Sequence, residues 1–184
     1  MSNVSVFGGS QCKMGDEAYR DAERLGYLLS RSGHTVLTGG YIGVMEAVSR
    51  GAAAVGGVVI GVTCDEIQAW RPVEPNPWIT EQRRYPTLRQ RLFALIEGCD
   101  AAIAMPGGIG TLAEITQMWS QIQCQAIPPR PMILVGAGWQ ETINTFYSSF
   151  DIYVPQPYRQ LLTFAESVDA AVTYINSSLH DSDS

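Results

Sequence analysis

The sequence predicts an α/β fold, a doubly wound, Rossmann-like parallel sheet with helices on both faces in a single domain. Two observations carry this. Short apolar runs alternate with longer segments of helical periodicity along most of the 184 residues, the signature of βαβ units. The runs at 58–62 and 101–105 are apolar on both faces, as strands buried in a parallel sheet are. A third observation sharpens the topology. Three of the strands end in glycine-rich turns, Gly8-Gly9-Ser10, Gly39-Gly40-Tyr41-Ile42-Gly43 and Pro106-Gly107-Gly108-Ile109-Gly110-Thr111.

Taken in order, 4–7 is a first strand. The segment 16–31 carries Ala18, Ala22, Leu25, Leu28 and Leu29 at helical spacing, with Asp16 at its start and Gly33 as its stop. A second strand covers 34–37, a helix runs from Val44 to about Val55, and a third strand covers 58–62. Residues 63–86, with Pro72, Pro75, Pro77 and Pro86 beside Trp70 and Trp78, read as a long irregular loop of the kind that forms lids. A helix at 87–97 aligns Leu88, Leu92, Leu95 and Ile96. Strand four (101–105), its glycine turn and a helix from Leu112 to Gln123 follow. Then come strand five (131–135), a helix at 139–150, a loop at 151–160, a sixth strand at 161–164 and a final helix at 166–175. The domain is expected to span 1–176, leaving 177–184 as a polar, disordered tail.

The strand order 3-2-1-4-5 would place strands one and four side by side at the topological switch point, where such sheets bind ligands. Three glycine turns would then share one crevice. The turn at Pro106 is the most informative. It feeds a helix whose first N–H groups lack partners and whose dipole favours an anion. Gly107, Gly108 and Gly110 allow close approach of a ligand, and Thr111 adds a hydroxyl. Glu114, one turn further on, is not explained by anion binding. Arg91, in the first turns of the preceding helix, shares the ligand edge with it. Asp100 and Cys99, just before strand four, fall on the opposite edge and are discounted, as is His34.

Bulk properties exclude several classes. A net charge of −6 argues against nucleic-acid or anionic-membrane binding through a broad basic surface. No apolar run approaches the roughly 18 residues of a membrane helix. Neither a P-loop nor the GxGxxG fingerprint is present, and no metal cluster is apparent. Lys13, the only lysine, sits away from the main turn, so a Schiff-base cofactor is not expected, and no cofactor is implied. Cys12, Cys64, Cys99 and Cys124 show no pairing pattern, which fits a reduced, cytoplasmic chain. Only 16% of residues are charged, against about 25% typically, consistent with surface covered in a homodimer. Gln117, Gln121 and Gln123 around Met118, Trp119 and Ile122 mark the helix after the motif as its candidate interface.

The run Pro106 to Glu114 resembles the PGGxGTxxE motif of the Lonely Guy (LOG) family, cytokinin riboside 5′-monophosphate phosphoribohydrolases once labelled lysine decarboxylases. The likeness covers about residues 3–150 and includes Phe7-Gly8-Gly9-Ser10 and the stretch from Thr38 to Met45. A second family signature, Met-His-x-Arg-Lys, places its arginine on Arg91, whereas its methionine, histidine and lysine positions hold Leu88, Arg89 and Leu92. The resemblance implies a Rossmann-like homodimer that hydrolyses the N-glycosidic bond of a nucleoside 5′-monophosphate. Glu114 and Arg91 would be catalytic. Gly8, Gly9, Ser10, Gly39, Gly40, Gly43, Met45, Gly107, Gly108, Gly110 and Thr111 would bind the nucleotide, and no metal would be needed. Relatives that carry nucleotides or molybdenum cofactor without catalysis supply the alternative.

Overall fold

The structure is a computed structural model and describes residues 1–180. Seven strands form one all-parallel sheet: β1 (Asn3–Phe7), β2 (Thr35–Thr38), β3 (Val59–Cys64), β4 (Glu81–Tyr85), β5 (Ala101–Ala104), β6 (Met132–Val135) and β7 (Thr163–Ala165). Their order is β4-β3-β2-β1-β5-β6-β7, and every pairing is parallel. The chain reverses its direction of winding between β1 and β5, so the predicted switch point stands.

The helices are α1 (Glu17–Arg31), α2 (Val44–Ala53), α3 (Asp65–Trp70), α4 (Leu88–Glu97), α5 (Ile109–Gln123), α6 (Ala137–Ser149), α7 (Gln156–Arg159) and α8 (Val168–His180). They cover both faces of the sheet. On one face Leu25 and Leu29 of α1, Ala47 and Val48 of α2 and Val172 of α8 close over Val4, Val36 and Ile103. On the other, Leu95 of α4, Ile115 and Met118 of α5 and Ile143 of α6 close over Phe7, Ile60 and Leu134. Every central strand is therefore buried on both sides, which is why those runs lack polar alternation. Gly26 and Gly51 let α1 and α2 touch backbone to backbone, since a Cβ on either would strike main-chain atoms of the other helix.

The segment 63–86 departs from the expected irregular loop. It contains α3 and β4, and β4 extends the sheet from Ile60↔Glu81 to Cys64↔Tyr85. Its sequence, Glu-Gln-Arg-Arg-Tyr, has no apolar face because the strand lies at the exposed edge of the sheet. Main-chain pairing to β3 defines it, and hydropathy does not report main-chain pairing. Charged residues on an edge strand also discourage pairing with other chains. Three further differences concern helices. Leu88 is half exposed rather than part of the buried face of α4. Residues 151–160, expected as loop, hold a short 3-10 helix (Asp151–Tyr153) and α7. The last helix continues through His180, into the stretch expected to be frayed; residues 181–184 lie outside the described residues.

The proposed interface helix also reads differently. Met118, Trp119 and Ile122 are buried within the chain itself, against the sheet and α6. The apolar surface left exposed lies beside them, where Phe146, Phe150 and Tyr153 remain 40%, 49% and 75% accessible.

Candidate active site

The three glycine turns meet at the carboxyl edge of the sheet. Gly9 N–H donates to the Pro106 carbonyl at 3.1 Å, and Val44 N–H donates to the Gly9 carbonyl at 2.9 Å, so the β1 turn is bonded to both of the others. The glycines serve different ends. A Cβ on Gly8 would run into Val44, and one on Gly43 would lie 2.5 Å from the Ser10 Cα, so these two let the turns pack on each other. Gly43 also holds φ at +74° and Gly40 at +78°, the left-handed region that favours glycine. Gly9 and Gly107 face one another, with 3.3 Å between a Gly9 Cβ and the Gly107 Cα. Only Gly108 and Gly110 of the motif look onto open space.

Gly108 is the N-cap of α5 and provides no side-chain cap. The next N–H groups, at the start of a 15-residue helix, therefore point outward without intrahelical partners. The segment from Pro106 to Gly110 is exposed, whereas Thr111 is buried behind it. This is the geometry of an anion cradle.

Arg91 and Glu114 reach the same edge from α4 and α5. The N-terminus of α4 is fixed by the Thr87 hydroxyl, which accepts from Gln90 N–H at 3.2 Å, and by Glu66 of α3, whose carboxylate accepts from Leu88 N–H at 2.7 Å. Arg91, one turn on, is buried. Its Nε donates to the Val62 carbonyl at 2.8 Å, its Nη2 lies 3.8 Å from the Met45 sulfur, and its Nη1 lies 3.9 Å from Glu114 Oε1. The Tyr41 ring sits 5.8 Å from its guanidinium carbon, and Gly39 leaves the room that the guanidinium fills. With Nε engaged by Val62, one terminal nitrogen is directed at the Met45 sulfur and the other at Glu114.

Glu114 has 12% of its side chain accessible and accepts no hydrogen bond. Burial pushes its carboxyl up from 4.5 to about 7, against the opposing pull of the Arg91 charge. At neutral pH the group is thus poised between its two forms, a state typical of functional carboxyls.

Two residues here escaped the sequence reading. Tyr41 packs on Arg91, and its hydroxyl donates to the Cys64 carbonyl and accepts from Cys64 N–H, which ties the β2 turn to the end of β3. An aromatic residue inside a glycine turn was the available signal. Asn76 is buried and bonds the Gly40 and Tyr41 carbonyls through its main-chain and side-chain N–H groups, at 2.8 and 3.0 Å. Its side-chain oxygen also accepts from Trp78 N–H, but the carbonyls it ties down lie 35 and 36 residues away, so no local pattern marks it. Charged and polar residues away from the crevice have structural partners. Asp100 accepts from Asn3 N–H at the far edge, His34 bonds Asn176, and Arg83 and Arg84 pair with Glu81 and Asp65. Among the described residues no cluster of metal-ligating side chains occurs.

Residues 45–175 match the family model described as possible lysine decarboxylase. The chain belongs to that family, the Lonely Guy family. Its members include a cytokinin riboside 5′-monophosphate phosphoribohydrolase of Rhodococcoides fascians, 32% identical over 65% of this chain and 62% of that protein. A probable cytokinin riboside 5′-monophosphate phosphoribohydrolase of Oryza sativa is 29% identical over 92% of this chain and 75% of its own length. Among solved structures, the molybdenum cofactor carrier protein of Chlamydomonas reinhardtii superposes with a TM-score of 0.73 over 97% of this chain and 98% of its own, at 22% identity, and shares the fold. At the level of the family, then, the chain groups with hydrolases of nucleotide 5′-monophosphates. No helix among the described residues is long and apolar enough to cross a membrane.

Proposed function

We propose that this Lonely Guy family member hydrolyses the N-glycosidic bond of a nucleoside 5′-monophosphate, a cytokinin riboside monophosphate or AMP-like compound, to free base and ribose 5-phosphate. The observation that carries this reading is the buried, unbonded Glu114 carboxyl beside Arg91 at the rim of an anion cradle. A pure anion-binding site gains nothing from a carboxylate there.

In this reading the N–H groups at the start of α5 and the Thr111 hydroxyl hold the 5′-phosphate, with Gly8, Gly9, Ser10, Gly39, Gly40, Gly43 and Met45 shaping the crevice around the nucleotide. Phosphate binding energy positions the sugar. As the C1′–N bond breaks, positive charge builds on the ribose ring, and the Glu114 carboxylate stabilises it. Water adds its oxygen to C1′, and one of its protons ends on the departing base. A guanidinium holds its proton throughout, so Arg91 acts electrostatically on phosphate or leaving base. No metal or cofactor takes part. Incubation with a panel of nucleoside monophosphates is expected to release free base; release from none of them at high enzyme concentration refutes the proposal.

A second reading has support of its own. Leu92 stands where the family signature has lysine, and the fold matches a molybdenum cofactor carrier. A non-catalytic nucleotide- or molybdenum-cofactor-binding carrier would co-purify with an intact ligand and release no base.

The reading includes a homodimer. The groove between α5 and α6, about 580 Å³ and lined by Trp119, Phe146, Phe150 and Tyr153, is apolar surface suited to a second copy. Light scattering is expected to give twice the 20.1 kDa chain mass; a monomer removes this part. Operation in the cytoplasm belongs to the same reading, and the four free cysteines fit a reducing compartment.

A further inference from the structure

Two opposite charges do not by themselves keep the distance that separates Arg91 from Glu114. At 3.9 Å the pair attracts, and small changes in the arginine torsions would bring it to hydrogen-bond length. The contacts that oppose closure come from the β2 turn, α2 and β3. Arg91 Nε is bonded to the Val62 carbonyl, and Nη2 points at the Met45 sulfur. The guanidinium fills the space beside Gly39, and its carbon sits over the Tyr41 ring at 5.8 Å, within the range in which a ring face attracts a cation.

The ring is itself braced at both ends. Tyr41 is 1% accessible. Its hydroxyl donates to the Cys64 carbonyl at 3.0 Å and accepts from Cys64 N–H at 2.8 Å, so one atom is bonded twice to the end of β3. Its main chain is held by buried Asn76, whose N–H donates to the Gly40 carbonyl and whose Nδ2 donates to the Tyr41 carbonyl. Asn76 is fixed in turn by Ser49 Oγ and Trp78 N–H. Burial raises the Tyr41 hydroxyl above its ordinary value of 10, so it keeps its proton throughout the range in which Glu114 titrates. Among the described residues the charge acting on the Glu114 carboxyl is that of Arg91. Arg84 of β4, the other cation near Tyr41, is paired with Asp65 of α3.

We propose that Tyr41 is a positioning residue whose braced ring holds the Arg91 guanidinium back from Glu114 and so leaves the carboxyl unpaired. Its purpose rests on the hydrolase reading, whereas the spacing itself is tested in the resting protein. The Glu114 carboxyl is titrated by carbon NMR in the full chain, its resonance being the one absent from Glu114→Gln. Tyr41→Leu removes the ring, so the pair should close and the midpoint should fall by about one pH unit, roughly tenfold in proton affinity, as shortening such a contact does under surface-like screening. Tyr41→Phe keeps the ring but leaves the Cys64 groups unpaired. Its midpoint should stay at the wild-type value while its melting temperature drops. In an Arg91→Met background, Tyr41→Leu should leave the midpoint where Arg91→Met alone sets it, because the effect runs through the guanidinium. A ring-fluorinated phenylalanine at position 41 keeps the shape and weakens the negative ring face, which gives the same test if Tyr41→Leu fails to melt cooperatively; its midpoint should lie below that of Tyr41→Phe. An unchanged midpoint in both ring-altered variants overturns the proposal. So does an equal fall in Tyr41→Phe, or a fall of the same size with and without Arg91. The expected pattern in a chain that releases no base supports the spacing and counts against the hydrolase reading alone. Where base is released, the midpoint of kcat/KM should move with the carboxyl.

Discussion

Arg91 Nη1 and Glu114 Oε1 lie 3.9 Å apart, in a contact too long for a hydrogen bond, with 8% and 12% of the two side chains accessible. The guanidinium is close enough to temper the carboxyl but does not neutralise it. Burial wins, and Glu114 ends near 7. The gap between the two groups, at the rim of the cradle, is where a reacting sugar would be surrounded by both. Closing it into a tight ion pair would stabilise the carboxylate and remove the poised group.

Replacing the carboxylate tests its role directly. Glu114→Gln keeps shape and loses charge, and kcat is expected to fall by about 10²–10³-fold, the size of a lost electrostatic contact in a transition state. Affinity for a nucleoside monophosphate, measured by calorimetry, should change little, because the phosphate is held elsewhere. Normal turnover in this variant would rule out the assigned role.

The pH profile follows from the same residue. If the ionised form stabilises the developing cation, kcat/KM should rise as pH increases through about 7, the value of the Glu114 carboxyl. A profile flat from pH 5.5 to 8.5, or one falling through 7, contradicts this. In Arg91→Met the tempering charge is gone, so the midpoint should move to higher pH.

Stability should move oppositely to activity. The Glu114 carboxyl is raised in the folded chain from 4.5 to about 7, so between these values the folded state binds more protons than the unfolded one. Stability therefore falls as pH rises across that window, by up to about 3 kcal/mol, and stays lowered above it. Glu114→Gln is expected to raise the melting temperature relative to wild type at pH 8, with the advantage shrinking toward pH 5. An advantage independent of pH would place its cause outside titration.

The glycines can be separated by substitution. An alanine at Gly39 would collide with the Arg91 guanidinium and approach the Met45 sulfur to 2.5 Å, whereas an alanine at Gly108 meets no protein atom within 4 Å. Gly39→Ala should displace Arg91 and lower both stability and turnover. Gly108→Ala should fold like wild type yet weaken nucleotide binding, seen as a raised KM, because its methyl enters the space above the cradle. Equal affinity in wild type and Gly108→Ala would remove the ligand from that position.

Much of the fold was legible because burial writes itself into hydropathy. The strands at 101–105 and 131–135 lie inside the sheet, each between two neighbours, and both faces demand apolar side chains. β4 was not legible for the converse reason: an exposed edge strand is specified by main-chain pairing to β3, and Glu81 to Tyr85 carry no apolar pattern. The interface expectation meets a similar limit, since the chain itself already covers part of that helix. Met118, Trp119 and Ile122 are apolar, but a linear sequence does not tell whether an apolar stripe meets its own sheet or a second chain.

For this protein the sequence by itself determined the strand–turn–helix units and the three glycine turns, and it singled out Glu114 and Arg91 as candidates, since these depend on local propensity and on position along a strand–turn–helix unit. Tertiary structure alone decided their state. Only the approach of α4 to α5 leaves Glu114 buried and unbonded beside a charge held on the Val62 carbonyl. Only the packing of three turns divides the glycines into those that let main chains touch and those that leave room for a ligand. Desolvation and close contact are properties of neighbours far apart in the chain, so they arise only when the chain folds.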